Sequence, residues 1–217
     1  IIAMQEADIP GIGDEDKQAC AILLKDELIN PYDNLEEIPK DDNYFQEGWQ
    51  YQRGSKDEEG NNIGVDYDKA EEFFIKAIKA NDRRDAAVAN LISLFLKRGG
   101  SEINKGLMLL EVFGDLFTKE KLLDLRFQLI DKSGNFEARE LILKYAVKNT
   151  REKKNKCIHY MFHLAGVYSK NEKWEKSKEC FENCLTYMKN HNDIFLDSDE
   201  KFSKMRVNAN RLIALAN

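Results

Sequence analysis

The chain has 217 residues, 33% of them charged and 42% hydrophobic, with only 3 prolines and a net charge of −6. That length supports one compact domain or a short solenoid, and the mix suits a soluble, helix-rich protein better than a sandwich or barrel. The longest apolar runs, such as "LISLFL", are too short to span a bilayer, and no signal-peptide pattern opens the chain, so no membrane partner is expected.

Charge divides the chain before any element is drawn. Residues 1–42 carry 12 acids and 3 bases, whereas residues 43–217 carry 27 acids and 30 bases. All three prolines, Pro10, Pro31 and Pro39, fall in the acidic part. Residues 1–42 therefore read as a partly irregular lead-in, with one short helix around "KQACAILLKDELI". The segment could also fold back on the more basic remainder. Because "IIAMQ" is not a natural start, the chain reads as part of a larger protein.

From residue 43 onward apolar residues recur at helical spacing between Gly, Asn and Asp breaks. The predicted helices are 43–54, 66–80, 85–98, 102–117, 119–133, 136–148, 156–170 and 173–190, with a closing helix over 199–216. No alternating β-branched run competes, which makes the fold class all-α. The polar, Gly/Asn-rich "SKDEEGNNIGVD" predicts a surface loop. Gly99 and Gly100 predict a helix stop, followed by Ser101 as the next N-cap.

The second helix of each pair repeats one pattern. It reads Ala70, Phe74, Ala77, then Gly106, Leu110, Phe113, then Ala138, Ile142, Tyr145, and finally Ser177, Phe181, Cys184. Each triplet is spaced by four and three, which puts it on one helical stripe, and its small residue permits close backbone approach. The small residues lie 36, 32 and 39 apart, the period of a two-helix repeat. In "LAGVYSKNEKWEKSKECFENCL", Leu164, Ala165, Tyr168, Trp174, Ser177, Phe181 and Cys184 resemble the signature of the tetratricopeptide repeat family. Glu47, Gly48 and Tyr51 with Ala70, Phe74 and Ala77 resemble it too, across an insertion of about ten residues. The middle units depart from the pattern: Gly106 replaces alanine, and Lys97 and Arg126 stand where small or aromatic residues are usual.

The resemblance implies an α-solenoid of about four stacked antiparallel helical hairpins over residues 43–217, with a C-terminal capping helix. It implies a protein–protein interaction or scaffold module that binds a peptide or protein surface in a concave groove. By carry-over, the groove-facing places are Phe45, Trp49, Gln52 and Arg53, then Glu120, Leu123, Phe127 and Ile130, then His159, Phe162, His163 and Lys170. Trp49 either anchors a partner or is buried against the 66–80 helix. The family's chaperone-tail clamp needs lysine and asparagine at set places. Phe45 and Trp49 stand there, so that ligand is not implied. Other domains of a parent chain are possible partners. The alternative class is a peptide-sensing regulatory domain controlling an effector outside this chain; an RNA-binding helical repeat ranks below it.

Chemistry-bearing motifs are weighed in the same way. His159 and His163, with Cys180 and Cys184, have the spacing of a zinc set on two helices. Cys184, however, occupies a core stripe that the histidines do not share, so no metal is expected. No nucleophile elbow, phosphate loop or dinucleotide fingerprint is present, and neither enzymatic activity nor a cofactor is expected. The stretch "KNTREKKNK" could touch phosphate, but it lacks interleaved aromatics and reads as an exposed loop, which disfavours nucleic acid. Cys20, Cys157, Cys180 and Cys184 do not form a secreted disulfide framework, which places the protein in a reducing compartment, cytoplasmic or nuclear.

Overall fold

The computed structural model describes residues 15–27, 29–39, 43–56, 60, 62–191, 194, 195 and 200–215. Among them are ten α-helices: α1 (Glu15–Leu24), α2 (Tyr44–Arg53), α3 (Tyr67–Lys79), α4 (Arg84–Arg98), α5 (Glu102–Phe113), α6 (Lys119–Ser133), α7 (Phe136–Asn149), α8 (Lys154–Lys170), α9 (Trp174–Asn190) and α10 (Glu200–Leu215). Among the described residues the regular structure is helical apart from a two-residue ladder, β1 (Ser55–Lys56) with β2 (Asn62–Ile63), paired antiparallel with Ser55 opposite Ile63. That ladder lies inside the stretch expected to be a plain surface loop; residues 57–59 and 61 are outside the described residues.

By compactness the chain forms two units, residues 23–133 and residues 1–22 with 134–217. In the first unit α2 to α6 each pack on the next helix, and α4 also touches both α2 and α6. Its interior is aliphatic and aromatic, with Phe74, Leu91, Ile92, Phe95, Leu109 and Leu129 fully buried. In the second unit α7 packs on α8, α8 on α9, and α9 on α10. The closing helix α10 presents Phe202 and Ala209 to this core: Phe202 meets Phe195 edge-on at 4.7 Å, and Ala209 joins Ala165 and Phe181.

The repeated small–large stripe accounts for the close contacts. Ala70, Gly106, Ala138 and Ser177 are all buried, as are Phe74, Leu110, Ile142 and Phe181. A β-carbon added at Gly48 would lie 2.7 Å from Phe74 Cδ1, and one at Gly106 would lie 2.7 Å from Leu129 Cδ2. Glycine at 106, a departure from the repeat pattern, is what admits Leu129 of α6. In the last hairpin Ser177 Oγ donates to the Ala165 carbonyl at 3.0 Å, so the small side chain also joins α9 to α8.

Helix ends follow their local chemistry. The Asp66 carboxylate accepts from the Asp68 and Lys69 amides at 3.1 and 3.0 Å, and Asn135 Oδ1 accepts from the Ala138 amide at 3.0 Å. Gly99, at φ +68°, ends α4 and donates its N–H to the Phe95 carbonyl at 2.8 Å. Ser101 stands at the N-cap of α5, the place the sequence predicts for it, though its hydroxyl makes no cap hydrogen bond. Its backbone is already helical (φ −63°, ψ −20°), not the extended conformation in which a serine usually caps.

Candidate interaction surfaces

α2 is an amphipathic helix whose faces have separate uses. Phe45 lies against Phe74 with ring centroids 6.0 Å apart, beneath the Arg83 guanidinium at 5.3 Å. Its amide donates to Asp82 Oδ2 at 3.0 Å. Asn43 offers α2 no side-chain cap, so Asp82, from the α3–α4 turn, caps the helix instead. That turn holds Asn81 and Arg83 at φ +54° and +45°, a left-handed backbone unusual for arginine. Gln52 is 5% exposed and its Nε2 donates to the Asn90 carbonyl at 3.3 Å, joining α2 to α4. Tyr51 stacks on Phe73 at 5.5 Å. On the remaining face Trp49 is half-buried, Arg53 is exposed, and the Arg53 guanidinium sits 4.7 Å from the Trp49 ring centre.

The carried-over positions thus divide by burial. Phe45, Gln52, Leu123, Phe127 and Ile130 lie in the interior of their unit, and Glu120 is half-buried. On α8, His159, Phe162 and His163 are half-buried and Lys170 is exposed. The two imidazoles meet edge-on with centroids 4.4 Å apart. Phe162 sits edge-on to Phe181 at 5.3 Å and packs against the cores formed with α9 and α10. What stays accessible is Trp49 with Arg53 in one unit, and the His159–His163 pair with Lys170 in the other.

The thiols are packing groups. Cys184 belongs to the cluster of Ile158, Met188, Phe195 and Phe202, and Cys180 lies beside Phe181. Burial pushes the Cys157 and Cys184 thiols up, and burial with the nearby Glu179 charge pushes Cys180 up to about 11. All three are held as protonated thiols at neutral pH, the unreactive form. Among the described residues no group of three or more His, Cys, Asp or Glu side chains is placed to hold a metal ion. No described helix is long and apolar enough to cross a membrane.

Two electrostatic features complete the surfaces. At the start of α8, Glu152, Lys153, Lys154, Asn155, Lys156 and Ile194 line an open hollow of about 320 Å³. Its lining is the end of the basic stretch of the sequence together with Ile194. On the other unit, Arg98 Nη2 pairs with Asp68 at 2.6 Å, and its Nη1 pairs with Glu71 and, at 3.4 Å, with Glu102. Lys105 Nζ lies 2.9 Å from Glu102 and 3.8 Å from Glu71. The network ties α3, α4 and α5 together.

Tyr32 and its neighbours are the group that sequence reasoning missed. Tyr32 is 4% exposed although the segment around it is open. Asn30 Nδ2 donates to the Met108 carbonyl at 2.9 Å, while Asn30 Oδ1 accepts the Tyr32 amide at 3.0 Å. "NPYD" is a turn signal in its own right, with Asn bonding its own backbone and Pro fixing φ, and it could have marked this anchor.

Comparisons of the chain with protein-family models, with curated proteins and with solved structures return no match in any of the three.

Proposed function

We propose that the chain is a helical-hairpin interaction module of tetratricopeptide-like type, an α-solenoid that binds a peptide or a protein surface against the first helices of its hairpins. The observation that carries the reading is a contact made the same way in the first and last hairpins. A small residue of the first helix lies against a fully buried aromatic residue of the second: Gly48 against Phe74, and Ala165 with Phe181. This arrangement uses one face of α2 and of α8 for packing and leaves another face partly open. The open faces carry Trp49 with Arg53, and His159 and His163 with Lys170. Half-buried aromatics flanked by cations suit extended peptides with apolar and acidic side chains. Cys20, Cys157, Cys180 and Cys184, none of them in a disulfide, fit a reducing compartment, cytoplasmic or nuclear.

Peptides selected for binding from a random display library provide the test. Affinity should fall at least tenfold in Trp49→Ala or in His163→Ala, as for truncation of a central anchor, and stay within twofold in Glu175→Ala, an exposed residue of α9. Selected ligands indifferent to both anchor substitutions would refute the assignment.

A further inference from the structure

Residues 29–39 cross the α3 and α5 side of their unit without helix or strand of their own. Ile29, Pro31, Asp33, Asn34, Glu36, Glu37 and Pro39 are exposed, and Tyr32 alone is buried. Its attachments are few and specific. Asn30 bonds the α5 main chain at Met108, Asp33 closes a turn onto the Asn30 carbonyl at 3.3 Å, and the Ile38 amide donates to the Lys79 carbonyl at the end of α3 at 3.3 Å. Glu37 lies 3.8 Å from Arg84. Just upstream, Asn104 of α5 donates to Glu27 at 2.9 Å. Tyr32 is within electrostatic reach of Glu71 on α3 and Glu102 on α5, the two carboxylates that Arg98 and Lys105 pair with. The segment therefore has the form of a bound peptide: one anchoring tyrosine, a turn that presents it, an asparagine side chain bonded to the α5 main chain near one end, a main-chain hydrogen bond to α3 at the other, and mostly exposed residues between.

We infer that the α3–α5 face is a second peptide-binding site, and that residues 29–39 fill it as a releasable ligand in cis. The occupant defines the chemistry of the competing partner: an extended segment with a tyrosine held by an Asn-Pro turn and acidic residues following it. The site lies on the second helices of the hairpins, apart from the Trp49 face of α2. A tethered segment competes at an effective concentration of roughly millimolar, so a partner in trans meets a mostly closed site.

The test uses the full chain and a fluorescein-labelled peptide spanning residues 26–39. In Asn30→Ala/Tyr32→Ala protein the cis segment loses both anchors, and the labelled peptide should bind at least tenfold more tightly than to the wild-type chain. The same peptide carrying Tyr32→Ala should not bind. Equal binding to both chains, or no binding to the doubly substituted chain while its helical circular dichroism is intact, would overturn the proposal. Hydrogen exchange on the wild-type chain tests it without any substitution. The Tyr32 and Ile38 amides should exchange at least a hundredfold faster than core amides of α3 and α5, because the segment opens alone. Exchange in step with those helices would show an integral part of the fold, and would equally overturn the proposal.

Discussion

Gly48→Ala and Gly166→Ala are the same chemical change in two helix interiors, and the structure gives them opposite signs. Alanine is intrinsically favoured over glycine in a helix by about 0.5–1 kcal/mol. At Gly166 a β-carbon would meet nothing within 4 Å, so that gain should appear undiminished. At Gly48 it would lie 2.7 and 2.9 Å from Cδ1 and Cε1 of Phe74. The Phe74 ring is fully buried and cannot swing clear, and Phe45 is close beside it. Overpacking of this kind costs about 1–3 kcal/mol, which outweighs the helix gain and leaves a net loss of about 1 kcal/mol. For a chain of this size each kcal/mol moves the melting midpoint by about 2–4 °C, so a thermal scan should separate the two variants by several degrees. Combining Gly48→Ala with Phe74→Leu should recover part of the loss, a coupling expected only of residues in contact. A stabilised Gly48→Ala protein, or strict additivity of the pair, would refute the close approach of α2 to α3.

Asp82→Ala removes the side chain that caps α2 and leaves the buried Phe45 amide without its acceptor, so urea unfolding should show a loss of about 1–2 kcal/mol, largely restored in Asp82→Asn. At Glu140, burial alone would raise the carboxyl, but hydrogen bonds from Lys144 and Tyr168, with the Lys144 and Lys173 charges, hold it below its usual value. The stability it contributes is present above the ordinary carboxylate range and is lost as pH falls through the lowered value. Tyr168→Phe removes one of those donors, so a side-chain NMR titration should find Glu140 titrating at higher pH. Burial, then the Glu140 hydrogen bond, raises the Tyr168 phenol itself. Its stabilising effect is complete below the ordinary tyrosine range and declines above it, and alkaline unfolding of Tyr168→Phe should be correspondingly less steep. Ellman's reagent should label Cys157 and Cys184 only as the chain unfolds, since both are buried and protonated.

The helices from α2 to α9 were legible because their apolar residues recur at helical spacing and a Gly, Asn or Asp stands at or close to each C-terminal end. α6 begins and ends where the pattern predicts, and α9 comes within one residue at its start. Where two signals conflict, the boundary moves. The run expected to be helical to 117 leaves the α-helix at Gly114 and becomes a 3-10 turn over Gly114–Leu116, with Leu122 packed against Gly114. The first short helix stops at Leu24, well before the end of its apolar pattern. The candidate surface was legible only as a helix face. Periodicity places Phe45, Trp49 and Gln52 near one another but cannot say that Phe45 is covered by Phe74 and that Gln52 bonds to Asn90. Those partners lie some thirty to forty residues away in sequence, as does Asp82, the remote cap of α2. Tyr32 was hidden for another reason. The acidic, proline-bearing composition around it argues for irregular chain, and the segment is irregular; Tyr32, Asn30, the Ile38 amide and Glu37 attach it one residue at a time.

The two tryptophans allow the interaction reading to be tested in one spectrum. Trp49 lies half-buried on the open face of α2, and Trp174 is 45% exposed at the start of α9. Each contributes one indole N–H signal to a ¹H–¹⁵N correlation spectrum, and Trp174→Phe assigns them. The measurement is a titration with a library-selected peptide whose affinity falls on Trp49→Ala substitution. The Trp49 indole signal should shift saturably with the affinity measured independently, while the Trp174 signal stays in place. A saturating ligand that moves Trp174 alone, or neither signal, would contradict the interaction reading.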